Sequence, residues 1–329
     1  MMAEQYTRFD CESYEDYMIR LFGLQAEGKL TCRDIAALLN KDRGQNYGES
    51  SYRKFYRAFD AGRRYEARQA EGGGGNRILC ISVLHYPYAL PVDTFSRYAG
   101  LVDVLVLNGD LLDMKEISRF EKCYRQSPMD EIVGCREYLI NLIMTIRPRC
   151  VVANYGNHDE RFHRYLSRNL DTDLIELMPD TPLDLIFNDG FRKYDKERGV
   201  KAHYEPLKDV LPADIQTVYS ENWWCRVGNT IFAHPSAYSS AMLKTTEKAV
   251  NYFLRTEKNF DTIVLAHTHK LGQYIQGGIY MFEQGAACHV ESMRYNDGKL
   301  TVPQQKGCLY LCQDKDGNLM FDRCKLIAL

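Results

Sequence analysis

The chain has 329 residues, of which 45% are hydrophobic and 26% charged, and its 42 basic and 44 acidic residues leave a net charge of −2. A chain of this length divides into about two domains and can bury a full core without disulfides or a structural metal. The charge balance argues against a protein that coats nucleic acid with a uniformly basic surface. No apolar run approaches the ~20 residues that a membrane span needs. The composition therefore excludes a disordered chain, a membrane protein and a small disulfide scaffold.

The cysteines and the N-terminus bear on location. The eleven cysteines are odd in number and contain no Cys-x-x-Cys pair, and several lie in apolar runs such as residues 78–81. Such cysteines are typical of reduced, buried thiols. The first residues are acidic and polar and have no signal-peptide pattern. We expect a cytoplasmic protein with no membrane partner, and the choice between a monomer and a homo-oligomer stays open.

Residues 1–71 are predicted to form an all-α domain. Thr31 is the expected N-cap of a second helix, and a third helix is expected from about residue 50 to residue 69. Four glycines follow at positions 72–75, so residues 72–76 are predicted to be a flexible linker. The first helix is indicated by apolar residues at helical spacing, namely Tyr14, Tyr17, Met18, Leu21 and Phe22.

The third helix is locally basic. Residues 51–70 contain six basic and two acidic side chains. The second and third helices resemble a helix-turn-helix, in which the later helix presents basic side chains to a nucleic acid. The alternative is a three-helix packing domain whose arginines form its solvated face. On the first interpretation the side chains that contact DNA phosphates are Arg53, Lys54, Arg57, Arg64 and Arg68.

From residue 77 onward, strand-like runs alternate with helical segments. This rhythm predicts a layered α/β domain over residues 77–329. A helix is expected at 129–146, and a hairpin is expected around the Asp-Gly turn at 314–317. The expected strands are 77–82, 102–107, 150–154, 218–227, 230–233, 262–266, 308–313 and 319–326.

Polar residues that can bind metals follow the ends of these apolar runs. The carboxyl ends of strands in α/β sheets are where ligand sites assemble. Neutral imidazoles and carboxylates suit manganese, iron, nickel or zinc, and two ions about 4 Å apart can clamp the oxygens of a phosphoryl displacement. The residues in this position are His85, Asp110, Asn157, His158, His234, His267 and His269.

The order of these motifs resembles the calcineurin-like metallophosphoesterase superfamily. The motifs are Leu-His after the first strand, Gly-Asp-x-x-Asp, Gly-Asn-His-Asp, a lone His and His-x-His, and they cover residues 78 to about 285. The resemblance implies a four-layer fold of two facing β-sheets flanked by helices. It also implies hydrolysis of phosphoester bonds with one or two divalent ions, with Mn²⁺ preferred over Fe²⁺, Zn²⁺, Ni²⁺ and Mg²⁺.

The resemblance also implies a role for each matched position. Asp110 resembles a bridging carboxylate, His85 and His269 resemble ligands of a first metal, and Asn157, His234 and His267 resemble ligands of a second metal. His158 resembles the histidine that acts on the leaving oxygen without binding metal. Asp159 would orient that histidine, and Asp113 would support the loop.

One position departs from the family pattern. The family's first motif is Asp-x-His, but the residue two positions before His85 is Val83, and valine cannot coordinate a metal. Three alternatives remain open. The first metal binds weakly, the enzyme works with one metal, or the chain is a catalytically impaired protein that retains the fold.

The residues between His158 and His234 are expected to shape substrate access. This stretch of 75 residues mixes basic and aromatic side chains, a combination that suits phosphates and stacked bases. Arg161 is predicted to bind substrate. The whole chain resembles metallophosphoesterases of phages and mobile elements and the DNA-repair nuclease branch. A DNA phosphodiesterase is therefore predicted, with a small-nucleotide or protein phosphoesterase and an impaired nucleic-acid-binding protein as alternatives.

Overall fold

The fold is taken from a computed structural model that describes residues 6–9, 12–26, 28–58, 75–119, 127–195, 199–241, 243–292 and 303–329. Within these ranges, no helix has both the length and the apolar character that crossing a membrane requires. Most of the predicted linker at 72–76 lies outside the described residues, which resume at Gly75.

Three helices form the N-terminal region: α1 (Tyr14–Ala26), α2 (Cys32–Arg43) and α3, described over residues 49–58. As predicted, Thr31 caps α2. Its hydroxyl accepts a hydrogen bond from the amide of Asp34, and its own amide donates to the Asp34 carboxylate. This reciprocal arrangement satisfies two amides that a helix start would otherwise leave unpaired.

The inner face of α3 consists of residues four positions apart. Tyr52 is buried and donates a hydrogen bond to Asn40 Oδ1 at 2.7 Å, and the ring of Tyr56 stacks on Phe22 with centroids 4.2 Å apart. Phe55, by contrast, is 53% exposed. Tyr52 and Tyr56 occupy the inward face, which turns Phe55 toward solvent.

Thirteen strands follow in the described residues, in chain order β1 (Arg77–Ile81), β2 (Val104–Asn108), β3 (Cys150–Asn154), β4 (Phe191–Asp195), β5 (Val200–Tyr204), β6 (Gln216–Ser220), β7 (Trp224–Val227), β8 (Thr230–Ala233), β9 (Thr262–Leu265), β10 (Leu271–Gln276), β11 (Ile279–Gln284), β12 (Gly307–Cys312) and β13 (Lys325–Ala328). They form a six-stranded sheet in the order β13-β12-β1-β2-β3-β6, a five-stranded sheet in the order β10-β11-β9-β8-β7, and the β4-β5 hairpin.

Parallel pairing aligns the strand ends that position the site. Strands β1, β2, β3 and β6 run parallel to one another, and β8 runs parallel to β9 in the other sheet. The central strands are apolar runs buried on both faces, as is typical of parallel strands covered on both sides. The carboxyl ends of these strands therefore meet at one edge of each sheet.

The two large sheets face each other across a shared apolar core. Ile78 and Val106 of the first sheet belong to the same buried cluster as Phe232 and Val264 of the second. Two longer helices cover the outer faces: α4 (Pro128–Ile146) packs on the six-stranded sheet and the Lys244–Thr256 helix packs on the five-stranded sheet. The predicted four-layer metallophosphoesterase fold with an N-terminal helical region is confirmed.

Several strand predictions were wrong in their details. The predicted single strand 218–227 is two strands, because the chain leaves the first sheet after Ser220 and enters the second at Trp224. The stretch between His158 and His234 also contains the β4-β5 hairpin, which the sequence did not predict. In the predicted C-terminal hairpin, the Asp314 carboxylate accepts amide hydrogen bonds from Asp316 and Asn318. The second arm starts only at Lys325 because a short helix precedes it.

Candidate metal centre and active site

The predicted metal ligands and the predicted catalytic His158 lie just past the carboxyl ends of parallel strands, where the two sheets face each other. The first sheet contributes four of them after β1, β2 and β3, and the second sheet contributes three after β8 and β9. In chain order they are His85, Asp110, Asn157, His158, His234, His267 and His269. The apolar strands fix the backbone, and the loops that leave them carry the polar groups.

Asp110 lies at the centre of this cluster and joins the two sheets. Its Oδ2 is 3.1 Å from Nε2 of His234 and 3.6 Å from Nε2 of His85, and its Oδ1 accepts a hydrogen bond from the His158 amide at 2.8 Å. Burial by itself would raise the pKa of Asp110, but His234 and the other imidazoles hold that pKa well below its usual range. The centre of the site is therefore an anionic carboxylate.

Two groups of ligand atoms share this carboxylate. Within the described residues, one group consists of His85, Asp110 and His158, and the other of Asp110, His234 and His267. In each group the ligand atoms lie within 4.8 Å of one another. Two such groups around one carboxylate offer places for two neighbouring ions. The first group contains His158, which was predicted not to bind metal, in place of the predicted ligand His269.

Burial keeps several imidazoles in the neutral form that binds metals. Desolvation, reinforced by the nearby His234, lowers the pKa of His267 to about 3, and burial also lowers the pKa of His269 well below its usual value. Burial opposes charge on His234 as well, yet Asp110 raises its pKa. The raised pKa of His234 indicates that the position beside Asp110 favours a positive charge. His267 and His269 stay neutral and can offer lone pairs to a metal.

The backbone of the cluster is left-handed at five residues that are not glycine. For L-residues this conformation costs roughly 1–2 kcal/mol each, and strained residues of this kind cluster at functional sites. The φ values are 55° at Val83, 43° at His85, 51° at Asp110, 73° at His267 and 53° at His269.

Two glycines give the cluster the space that it needs. Gly109 has a φ of 71°, and a Cβ there would lie 2.6 Å from His234 Nδ1. A Cβ at Gly156 would overlap the Asp110 carboxylate. Gly109 thus serves both the sharp turn and the close approach, whereas Gly156 serves close approach alone.

Comparison with known proteins identifies the domain that holds this cluster. Residues 77–271 match the family model of the calcineurin-like phosphoesterases, over more than half of the chain. The chain belongs to the calcineurin-like phosphoesterase family. Residues 3–71 match a second family model, the YonJ N-terminal domain. No curated protein matches the chain in sequence.

The chain also shows distant similarity to solved structures. Vacuolar Protein Sorting 29 from Cryptosporidium parvum is 15% identical, with 73% of this chain and 86% of that chain covered and a TM-score of 0.37. A metallophosphoesterase from Sphaerobacter thermophilus is also 15% identical, with 74% and 85% covered and a TM-score of 0.31. The family assignment rests on the sequence model and not on these distant structures.

Membership in the calcineurin-like phosphoesterases makes the chain a phosphoester hydrolase that uses divalent metals. The buried donor set fits such ions. Asn157 Oδ1 and His269 Nδ1 are buried without a hydrogen-bond partner among the described residues, a state that costs roughly 1–3 kcal/mol for each atom. A metal that accepts these lone pairs would remove that cost. The residues that would hold it are His85, Asp110, Asn157, His234, His267 and His269.

The structure corrects the predicted partner of His158. Asp113 Oδ1 is 2.9 Å from Nδ1 of His158 and 3.3 Å from Nδ1 of His85. The Asp159 carboxylate instead accepts hydrogen bonds from the amides of Gly156 and Leu112. Asp113 therefore orients the histidine, and Asp159 ties two loops together, the reverse of the predicted roles. The sequence signal for Asp113 was its position three residues after Asp110.

Arg161, predicted to bind substrate, lies against the same histidine. Its guanidinium donates hydrogen bonds to Nε2 of His158 at 2.9 Å and to the backbone oxygen of Asp113 at 2.6 Å. Burial, together with the nearby His85, lowers the pKa of His158 to about 4. The ring is therefore neutral, with its proton on Nδ1 toward Asp113 and its Nε2 lone pair toward Arg161.

Val83 and Tyr238 lie close in sequence to the histidines of the site, two residues before His85 and four residues after His234. Val83 is fully buried in an apolar cluster with Ala266, Ala286 and Cys288, so it offers no ligand oxygen. Tyr238, which sequence reasoning missed, is 52% exposed and has its ring centroid 5.4 Å from that of His267. Its only sequence signal was its position four residues after His234.

Three of the predicted nucleic-acid-binding residues lie on α3, away from its buried face. Arg53, Lys54 and Arg57 are all exposed. Arg64 and Arg68 lie outside the described residues. The three exposed cations remain predicted DNA contacts.

Proposed function

We propose that this phosphoester hydrolase is a cytoplasmic, manganese-dependent phosphodiesterase that cleaves DNA. The observation that carries the proposal is the buried Asp110 carboxylate shared by two groups of histidines. This arrangement suits displacement at a phosphodiester. The exposed cations of α3 supply the reason to choose DNA over a small substrate, because contacts with phosphates dominate DNA affinity.

The side chains divide the work of the reaction. A divalent metal would supply Lewis acidity at the phosphoryl oxygens and lower the pKa of the attacking water. Arg161 binds a non-bridging oxygen of the phosphodiester and thereby gives up its hydrogen bond to Nε2 of His158. Once Arg161 has moved away, Nε2 of His158 takes up a proton from solvent, and the anionic Asp113 stabilises the charged ring through Nδ1. His158 then transfers the Nε2 proton to the leaving oxygen and returns to its neutral form.

The N-terminal helices supply affinity in this proposal. Tyr52 and Tyr56 fix α3 to the rest of the small core, so Arg53, Lys54 and Arg57 extend from a rigid helix. Each phosphate contact with duplex DNA contributes about 0.9 to the slope of log affinity against log salt concentration. The triple substitution of these residues by Ala should therefore flatten that slope by about 2–3.

The test combines a small substrate with DNA. Wild type and the α3 triple variant are assayed with manganese against bis-p-nitrophenyl phosphate, single-stranded DNA and duplex DNA. We expect equal hydrolysis of the small diester and a loss of DNA cleavage in the variant. A control variant replaces Lys248, Arg255 and Lys258 by Ala, which removes three exposed cations on or just after the Lys244–Thr256 helix. It should behave like wild type.

The outcome separates the alternatives. Hydrolysis of the small diester without cleavage of DNA would replace the proposal with a small-nucleotide or protein phosphoesterase. DNA binding without hydrolysis at any manganese concentration would indicate a catalytically impaired binding protein, as the valine at position 83 allows.

A further inference from the structure

The hairpin of β4 and β5 has one face that no other element covers in the described residues. Its antiparallel register pairs Arg192 with His203 and Tyr194 with Lys201. Residues opposite each other and two positions apart share one face of a hairpin. All four side chains are exposed, and Tyr194 is 56% exposed.

The opposite face anchors the hairpin to the domain. The buried Phe191 stacks on Tyr204 with ring centroids 5.1 Å apart, and the Arg136 guanidinium lies 5.8 Å from the Tyr204 ring. Lys193, on this face, forms an ion pair with Asp130. These contacts fix which face points to solvent.

The anchor also places the hairpin beside the active site. Asp130 lies in the first turn of α4, and the next residue, Glu131, accepts a hydrogen bond from the Met114 amide at 2.7 Å. The residue before Met114 is Asp113, which contacts His158. The first turn of α4 therefore contacts both the hairpin and the loop that orients the catalytic histidine.

The chemistry of the exposed face suits a single strand of nucleic acid. Lys193 and His203 of the hairpin form ion pairs, whereas neither Arg192 nor Lys201 has a carboxylate partner among the described residues. Arg192 lies two residues before the exposed Tyr194, and Lys201 lies opposite it. Cations beside an aromatic ring suit a single strand, because its phosphates can bind the cations while a base stacks on the ring.

We propose that the face formed by Arg192, Tyr194, Lys201 and His203 binds single-stranded DNA beside the active site. This inference rests on the proposed function, since it names the surface that guides the substrate to the metal centre. Tyr194 stacks on a base, and Arg192 and Lys201 bind adjacent phosphates.

The test measures binding without turnover. Fluorescence anisotropy of a labelled oligo-dT is recorded with the full chain in EDTA. Tyr194→Ala should weaken binding roughly 5- to 150-fold, the loss expected when one stacked base is lost, whereas Tyr194→Phe should retain it. Arg192→Ala/Lys201→Ala should flatten the salt slope by about 1.4, since each single-strand phosphate contact contributes about 0.7.

Controls separate this surface from general charge loss and from the catalytic proposal. Arg255→Ala/Lys258→Ala removes two exposed cations elsewhere and should leave binding unchanged. The inference would be overturned if Tyr194→Ala and Arg192→Ala/Lys201→Ala both bound oligo-dT with wild-type affinity, or if the wild type did not bind oligo-dT. It would also be overturned if these variants lost as much affinity for duplex DNA as for oligo-dT. Hairpin-dependent binding by a wild type that cleaves no phosphodiester would support the inference and contradict the proposed function.

Discussion

The candidate metal centre has two halves, one around His234 and one around His85, which share the Asp110 carboxylate. Both halves contain residues with left-handed backbone, but their side chains differ. In one half, Asp110, His234 and His267 bring their ligand atoms together, and the unpaired Asn157 Oδ1 lies in the loop after β3. In the other half, Val83 lies in an apolar cluster, and His158 is the third residue grouped with His85 and Asp110. The first of these halves has Asn157, His234 and His267 as donors besides Asp110. The second has valine at the position where the family pattern has a carboxylate.

The difference lies in the chemistry of one side chain and not in the shape of the loop. Val83 has a φ of 55°, like its neighbours in the cluster. A β-branched residue is a genuine outlier in this conformation, whereas Asp tolerates it. At position 83 the backbone therefore has the conformation of the neighbouring ligand residues, but the valine side chain cannot coordinate a metal.

The largest effect is expected from the residue that both halves share. Asp110→Asn keeps the shape of the side chain but removes the charge that His85 and His234 face. Since metal-ion catalysis supplies several kcal/mol, turnover should fall on the order of 10³-fold or more. Elemental analysis should show metal lost from both halves. Retention of full metal content would contradict the bridging role.

His158 tests whether the weaker half uses this histidine as a ligand. His158→Ala should lower turnover by about 10²–10⁴-fold, as expected for loss of a general acid, while metal content stays at the wild-type level. Asp113→Asn should give a smaller loss, about 10–100-fold, because it weakens the orientation and charge stabilisation of the ring but leaves His158 in place. If His158→Ala lost one metal equivalent, the histidine would be a ligand in place of the missing carboxylate.

Val83→Asp tests whether the two halves can be made alike. A buried carboxylate there should raise metal affinity in the His85 half and reduce the manganese needed for half-maximal activity, by roughly 10-fold or more. Without metal the variant should unfold more easily, because its charge is buried and unpaired. A titration of activity and unfolding with manganese measures both effects. Unchanged curves would show that position 83 does not face the metal, and inhibition at high manganese would indicate a one-metal enzyme.

The smallest effect is expected for Glu131, which accepts a hydrogen bond from the loop next to the His85 half and should make stability depend on pH. Burial raises the pKa of Glu131 to about 8, against the opposing hydrogen bond from the Met114 amide. A raised folded-state pKa favours the protonated form, so this contribution to stability is full below the ordinary pKa of 4.5 and disappears as the pH rises through about 8.

Glutamine mimics the protonated acid. Glu131→Gln should therefore be more stable than wild type by roughly 1–3 kcal/mol at pH 8 and nearly equal to it near pH 4.5. Urea unfolding at the two pH values measures this. The exposed Glu176→Gln serves as the control and should change neither value. An equal stability difference at both pH values would refute the raised pKa.

The sequence by itself determined the elements whose signals are local. Thr31 predicted the start of α2, and strands β3 and β8 lie where their apolar runs placed them. The ligand residues could be predicted because each one directly follows such a run, and parallel pairing brings those ends together. These features depend on a few neighbouring residues, which is why no tertiary information was needed.

Only the tertiary structure decided features that depend on contacts between distant segments. The crossing from β6 to β7 between the two sheets left no periodic signal in residues 218–227. Asp113 and His158 are 45 positions apart, so their pairing, and the exclusion of the adjacent Asp159, follow from how two loops pack. The exposed face of the β4-β5 hairpin exists because Phe191 and Tyr204 pack inward. Such choices are made by packing, since spacing along the chain does not reveal which surfaces will meet.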